Sequence, residues 1–69
     1  MDLKLFAKRL VELRTEKSLS VRALGDAIGV SDASISVWEN CKSVPSAEAI
    51  YKLAKFFGVT SDFLIGLED

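Results

Sequence analysis

Histidine is absent from these 69 residues, and cysteine, proline, tryptophan and tyrosine occur once each. Each scarcity removes a class of function. A lone Cys41 cannot close an internal disulfide, and without histidine the usual Cys/His set for zinc cannot be assembled. No glycine-rich phosphate loop is present and no nucleophile–base pair can be built, so the sequence points away from an enzyme. Apolar runs are a few residues long, far short of a membrane span, and the start, MDLKLFAKRL, is charged where a signal peptide needs an apolar stretch. The expectation is a cytoplasmic protein with no membrane association, no metal, no cofactor and no small-molecule substrate.

What is present describes a folded globule. Apolar residues make up 49% and charged residues 28%, with the two signs mixed, which argues against a disordered segment. A chain of this length buries only about 60% of its unfolded surface, so residues 1–69 are expected to form one domain around an economical core. The formal charge of −1 is unevenly spread. Residues 1–55 carry nine basic against seven acidic side chains, a net +2, while residues 56–69 carry Asp62, Glu68 and Asp69 and no base, a net −3. Acidity is therefore concentrated in the tail, and the overall sign says little about what the rest of the surface meets.

The periodicity is helical throughout. Leu3, Phe6, Ala7, Leu10 and Leu13 recur at three- and four-residue steps, predicting a first helix over about 2–17 that Ser18 interrupts. Ser20 is placed to cap a second helix, about 21–28, with Leu24 and Ile28 inward. Gly29 can take the left-handed conformation that ends it. Ser31 caps a third helix, about 32–40, with Ile35 and Trp38 inward. Beyond Pro45, Ser46 caps a fourth, about 47–57, with Ala47, Ile50, Leu53, Ala54 and Phe57 as its stripe, and Gly58 ends it. Thr60 caps a short last helix anchored by Phe63, Leu64 and Leu67, with Asp62 near its positive end. No alternation of period two runs beyond four residues, so no strand is expected and the fold class is all-α.

Within this frame VRALGDAIGVSDASISVWEN, residues 21–40, reads as two short helices joined by a tight turn. Gly25 is small where steeply crossing helices come closest, Gly29 supplies the turn, and Leu24, Ile28, Val30, Ile35 and Trp38 fall where both helices would face a common core. A helical hairpin that merely packs shares some of these features, but not their conjunction in this order.

These residues carry a resemblance. FAKRLVELRTEKSLS, LGDAIGVSDASISVWENCKSVPS and LAKFFGVTSDFLIGLED, which together span nearly the whole chain, resemble the Cro/lambda-repressor-like helix-turn-helix regulators, also called the xenobiotic-response-element family. The resemblance implies a compact five-helix, lambda-repressor-like DNA-binding domain with the third helix in the major groove. It implies an ion pair between Arg14 and Glu39 that ties the first helix to the end of the third. Asp32, Ala33, Ser34 and Val37 match positions that approach base edges, and Ser31 matches one that approaches phosphate. Lys42 and Ser43 match a loop that lies along the sugar-phosphate backbone. Arg22 and Lys17 are further candidate phosphate contacts, whereas Lys4, Lys8, Arg9, Lys52 and Lys55 are expected to face solvent.

The chain departs from the family pattern twice. Val21 stands where glutamine would contact a phosphate and brace the third helix. Cys41 stands where glycine would follow Trp38, Glu39 and Asn40. Asn40 tolerates the left-handed turn, which would end the helix one residue early; alternatively Cys41 is a small buried residue, a reading preferred over any redox role.

The outward residues of the third helix carry no positive charge. Ala33 and Val37 can meet the methyl group of thymine, Ser31 and Ser34 can bond to bases or phosphates, and Asp32 can accept from cytosine N4, but a bidentate arginine or glutamine contact is missing. The expected function is a transcriptional regulator, a repressor of phage or bacterial type, that binds an inverted repeat in double-stranded DNA as a homodimer. Phe63, Leu64 and Leu67 are its candidate dimer contacts, with core packing of the same residues as the alternative. A rival reading keeps the helix-turn-helix fold and assigns it to protein–protein interaction without DNA, on the strength of the acidic composition, Val21 and Asp32.

Overall fold

Five side-chain oxygens decide where the helices start. In the computed structural model, which describes residues 1–69, Asp2, Ser20, Ser31, Ser46 and Thr60 each accept a hydrogen bond of 3.0–3.1 Å from the backbone amide three residues on. Each cap satisfies one of the amides that a helix start leaves unpaired and is worth about 1 kcal/mol. The helices are α1 (Leu3–Glu16), α2 (Val21–Ile28), α3 (Asp32–Glu39), α4 (Ala47–Phe57) and α5 (Ser61–Ile65), with no strand. The all-α, five-helix expectation is met, with α1 and α3 one residue shorter at their ends than the sequence suggests.

Every helix contributes to one buried cluster: Phe6 and Leu10 of α1, Leu24 of α2, Ile35 and Trp38 of α3, Ala49 and Leu53 of α4, and Leu64 of α5. Burying each large side chain is worth about 1.5–3 kcal/mol, and the sharing of one core explains why helices this short persist. α1 packs on α3 and α5, while α2 packs on α3 and α4.

The inward face of α4 differs from the predicted stripe. Ala49 and Leu53 are buried, Ile50, Ala54 and Phe57 are half-buried, and Ala47 is exposed. With alanine, isoleucine and phenylalanine spread around so much of this helix, the sequence leaves its rotation loosely defined. Leu67 is also no anchor. α5 ends at Ile65, Gly66 turns the chain with φ +90°, and Leu67 is left 73% exposed.

Two glycines set the angle between α2 and α3. At Gly29, with φ +75°, the chain reverses, and the amide of Val30 returns to the Gly25 carbonyl at 2.9 Å. At Gly25 a Cβ would lie 2.6 Å from the Val30 carbonyl oxygen, so the backbone after the turn approaches α2 more closely than any side chain permits.

Candidate nucleic-acid interface

α3 is held to the body by one face. With Ile35 and Trp38 buried and 100° of rotation per residue, Ala33, Val37 and Asn40 project the other way. Asp32, Ala33 and Asn40 are exposed, while Ser34, Ser36 and Val37 are half-buried. Val37 also packs against the edge of the core, so only part of its surface is free to meet another molecule. Asn40 and Ser36 belong to this outward surface and were not singled out from the sequence. The step from Ala33 to Val37 to Asn40 was the signal that could have found Asn40.

Local hydrogen bonding limits what this face offers. The Ser31 hydroxyl oxygen accepts from the Ser34 amide at 3.1 Å and lies 2.9 Å from the Ser34 hydroxyl. One hydroxyl hydrogen is consumed between the two, so the pair has a single donor left for an external acceptor. Asn40 donates its side-chain amide to the Ser36 carbonyl at 2.7 Å, which leaves its oxygen available as an acceptor.

The far end of α3 is fixed by Arg14 and Glu39. Nε of Arg14 donates to Oε2 at 2.6 Å and Nη2 to Oε1 at 3.0 Å, while Nη1 donates to the Leu19 carbonyl at 2.8 Å. This is the only ion pair in the chain, and its side chains are 16% and 9% exposed. Hydrogen bonding to the Glu39 carboxylate outweighs partial burial and raises the pKa of Arg14 further above its already high value. A two-pronged contact from α1 constrains orientation as well as distance, so α3 cannot rotate without breaking it.

At the end of α3 both expectations for Cys41 fail. Asn40 has φ −99°, Cys41 itself takes the left-handed conformation with φ +59°, and its side chain is exposed. The Lys42 amide returns to the Val37 carbonyl at 2.9 Å and the Cys41 amide to the Trp38 carbonyl at 3.2 Å, the paired closure that normally favours glycine. Two reversed hydrogen bonds hold the cysteine where a glycine would sit. Because those amides are spent on α3, the next free ones in this loop are those of Ser43 and Val44, which make no backbone hydrogen bond.

Arg22, in the first turn of α2, and Lys42, just past α3, are exposed and have no ion-pair partner. Lys17 is engaged elsewhere: its ammonium stands 5.9 Å from the ring of Phe56 in α4, which makes it the weakest of the phosphate candidates. Val21 packs against the core, so the position expected for glutamine has become a packing site. Arg9 is not a solvated cation. It lies over the Phe63 ring at 4.0 Å and donates to the carbonyl of Phe63 and, at 2.8 Å, to that of Glu68. Of the three candidate dimer contacts, Leu64 is fully buried and belongs to the core, Phe63 is half-covered by Arg9, and Leu67 alone is open. No helix is long and apolar enough to cross a membrane.

The geometry matches known proteins. A family model described as helix-turn-helix matches residues 10–64. The chain is 39% identical over 64 residues to the HTH-type transcriptional activator BcrR of Enterococcus faecalis, covering 93% of this chain and 31% of that protein. It is 31% identical over 65 residues to repressor protein C2 of Salmonella phage P22, covering 94% of this chain and 30% of the repressor. Thus it spans about a third of the length of each. The solution structure of the DNA-binding domain of the P22 C2 repressor superposes with a TM-score of 0.81 at 31% identity, over 94% of this chain and 86% of that domain. Common fold, common turn and matching sequence together place this chain in the helix-turn-helix family of the Cro/C1 type.

Proposed function

We propose that this chain is a sequence-specific DNA-binding regulator of transcription, acting as a repressor in the cytoplasm of a bacterial or phage-infected cell. α3 enters the major groove, and two copies bind an inverted repeat whose half-sites lie about 34 Å apart, one helical turn. The observation that carries this reading is an α3 anchored by Ile35, Trp38 and the Arg14–Glu39 pair, with its opposite face left uncovered by the chain. The names of its relatives support it, since they include a transcriptional activator and phage repressors.

Roles follow from position. Asp32, Ala33, Ser34 and Val37 meet base edges, joined by the Asn40 oxygen as an acceptor. Ser31, Ser43, Arg22 and Lys42 hold phosphates, and the free amides after Lys42 add neutral donors. No covalent chemistry is needed, because an occupied promoter is closed to polymerase. With few cations, affinity depends on the doubling of contacts in a dimer and on DNA shape.

Selection of bound sites from a random duplex pool tests the whole reading. A symmetric motif with half-sites one turn apart is the expected product. Recovery of no motif, together with no salt-dependent binding to mixed-sequence duplex, would transfer the fold to the protein-interaction reading that the acidic composition, Val21 and the exposed Asp32 favour.

A further inference from the structure

The first turn of α3 sets an acceptor beside a methyl group. Asp32 and Ala33 are consecutive and both exposed, while Ile35 and Trp38 anchor the opposite face. The Asp32 carboxylate is not spent on the chain: Ser31 caps the helix by accepting from the Ser34 amide at 3.1 Å, and the chain's one ion pair joins Arg14 to Glu39. No lysine or arginine occurs in α3. At 100° per residue Ser34 falls on the far side of Ala33 from Asp32, and its hydroxyl is paired with that of Ser31 at 2.9 Å. Ser36, one turn above Asp32, is half-buried, and the methyls of Val37 continue the line from Ala33. This end of the reading face is therefore an acceptor-only carboxylate flanked by methyl groups.

Base pairs differ in what they set beside a methyl. Read inward from the methyl in the major groove, a T·A pair shows the thymine O4 acceptor first and the adenine amino donor second. Cytosine carries its amino donor on the ring atom next to C5, but ordinarily has only hydrogen at C5. A methyl on that carbon places methyl and donor side by side, which no ordinary pair does. Against Ala33 and Asp32 this edge is complementary at both points. Thymine satisfies Ala33 but meets Asp32 with an acceptor, leaving two acceptors opposed without a hydrogen between them.

We propose that Asp32 and Ala33 together read cytosine methylated at C5, so that cytosine methylation within the half-site tightens the binding of this chain to DNA. The inference rests on the DNA reading of the proposed function and names the base that the first turn of α3 selects.

The test uses the 69-residue chain and two random duplex pools, one made with cytosine and one with 5-methylcytosine throughout. The most enriched duplex is resynthesised with cytosine, 5-methylcytosine or thymine at one position at a time, each with its proper partner, and each Kd is read by fluorescence anisotropy. At one position of each half-site 5-methylcytosine should bind about fourfold tighter than cytosine, the effect of taking one methyl group out of water, and about tenfold tighter than thymine, within the range for one wrong base pair. Asp32→Asn, which can turn a donor toward thymine O4, should bring the preference over thymine close to nothing. Ala33→Gly, which removes the methyl, should do the same to the preference over cytosine. Each preference compares duplexes on one protein, so a loss of folded material cancels. Salt-dependent binding with no position that prefers 5-methylcytosine to both other bases overturns the proposal and leaves the DNA reading standing, as do preferences that survive these two substitutions. A chain that binds neither pool at low salt fails the DNA reading itself, and this inference falls with it.

Discussion

Replacing Glu39 by glutamine keeps the shape of the side chain and removes the charge that Arg14 is built around. Arg14 makes three charge-assisted hydrogen bonds, two of them to this carboxylate at 2.6 and 3.0 Å. Fully exposed pairs contribute about 0–1 kcal/mol, whereas breaking a buried pair costs about 3–5 kcal/mol. With the two side chains 16% and 9% exposed, this pair lies toward the buried end but stays in contact with water. The expected cost of Glu39→Gln is about 2 kcal/mol, within the range for hydrogen bonds to charged groups. A domain this small has about 3–10 kcal/mol of stability in all, so the loss lowers Tm by about 10 °C.

Urea titration followed by Trp38 fluorescence is the assay, because Trp38 is the only tryptophan, is 7% exposed and precedes Glu39 in α3. A double-mutant cycle with Arg14→Gln isolates the pair and should give a coupling of about 1–3 kcal/mol. The folded-state pKa of Arg14 is raised, so its contribution is fully present below the unfolded value and is lost only as pH rises through the folded one. The coupling should therefore be the same at neutral pH as at about pH 10, still well below the ordinary arginine value. A coupling under about 0.5 kcal/mol would refute the claim that this pair fixes α3.

Gly25→Ala should lower the urea midpoint: a Cβ 2.6 Å from the Val30 carbonyl oxygen costs about 1–3 kcal/mol, more than the roughly 1 kcal/mol that alanine normally adds to a helix. A raised midpoint would mean that α2 and α3 part without cost. Cys41→Gly should stabilise by about 1 kcal/mol, since left-handed backbone costs an ordinary residue about 1–2 kcal/mol; an unchanged midpoint would show that its hydrogen bonds carry no strain. Lys42→Ala should weaken binding to all duplex sequences alike and flatten the log-log salt slope by about one unit, whereas a site-specific loss would make Lys42 a reader of bases.

What could be read from the sequence was whatever chemistry is local. Ser20, Ser31, Ser46 and Thr60 were legible as caps because a hydroxyl and an amide three residues later belong to the same short segment. Gly29 was legible for the same reason, as was the close approach at Gly25 once two helices were placed on either side of it. Arg14 and Glu39 lie 25 residues apart, and nothing in their spacing pairs them; that contact came from family resemblance alone. Arg9 owes its partners to the fold and not to its place in the sequence. Its spacing reads as a solvated position, and only the return of α5 against α1 brings the Phe63 and Glu68 carbonyls within its reach. For Cys41 the size of the side chain suggests burial, but two backbone hydrogen bonds hold it exposed in the left-handed conformation, and that closure is not visible in residue type. At the interface, the uncharged outer face of α3 was visible at once, but the coupling of Ser31 to Ser34 and of Asn40 to Ser36 depends on rotamers that spacing does not specify.

The shortage of cations around α3 has a consequence for how such a protein finds its site. A genome offers an enormous excess of wrong sequences, and a strongly basic reading head spends most of its time trapped on them. On the proposed reading, a head of alanine, serine and valine with the exposed Asp32 beside them would leave random DNA quickly, so more of each molecule's lifetime would be spent free. Occupancy of the correct site would then be set by discrimination rather than by grip.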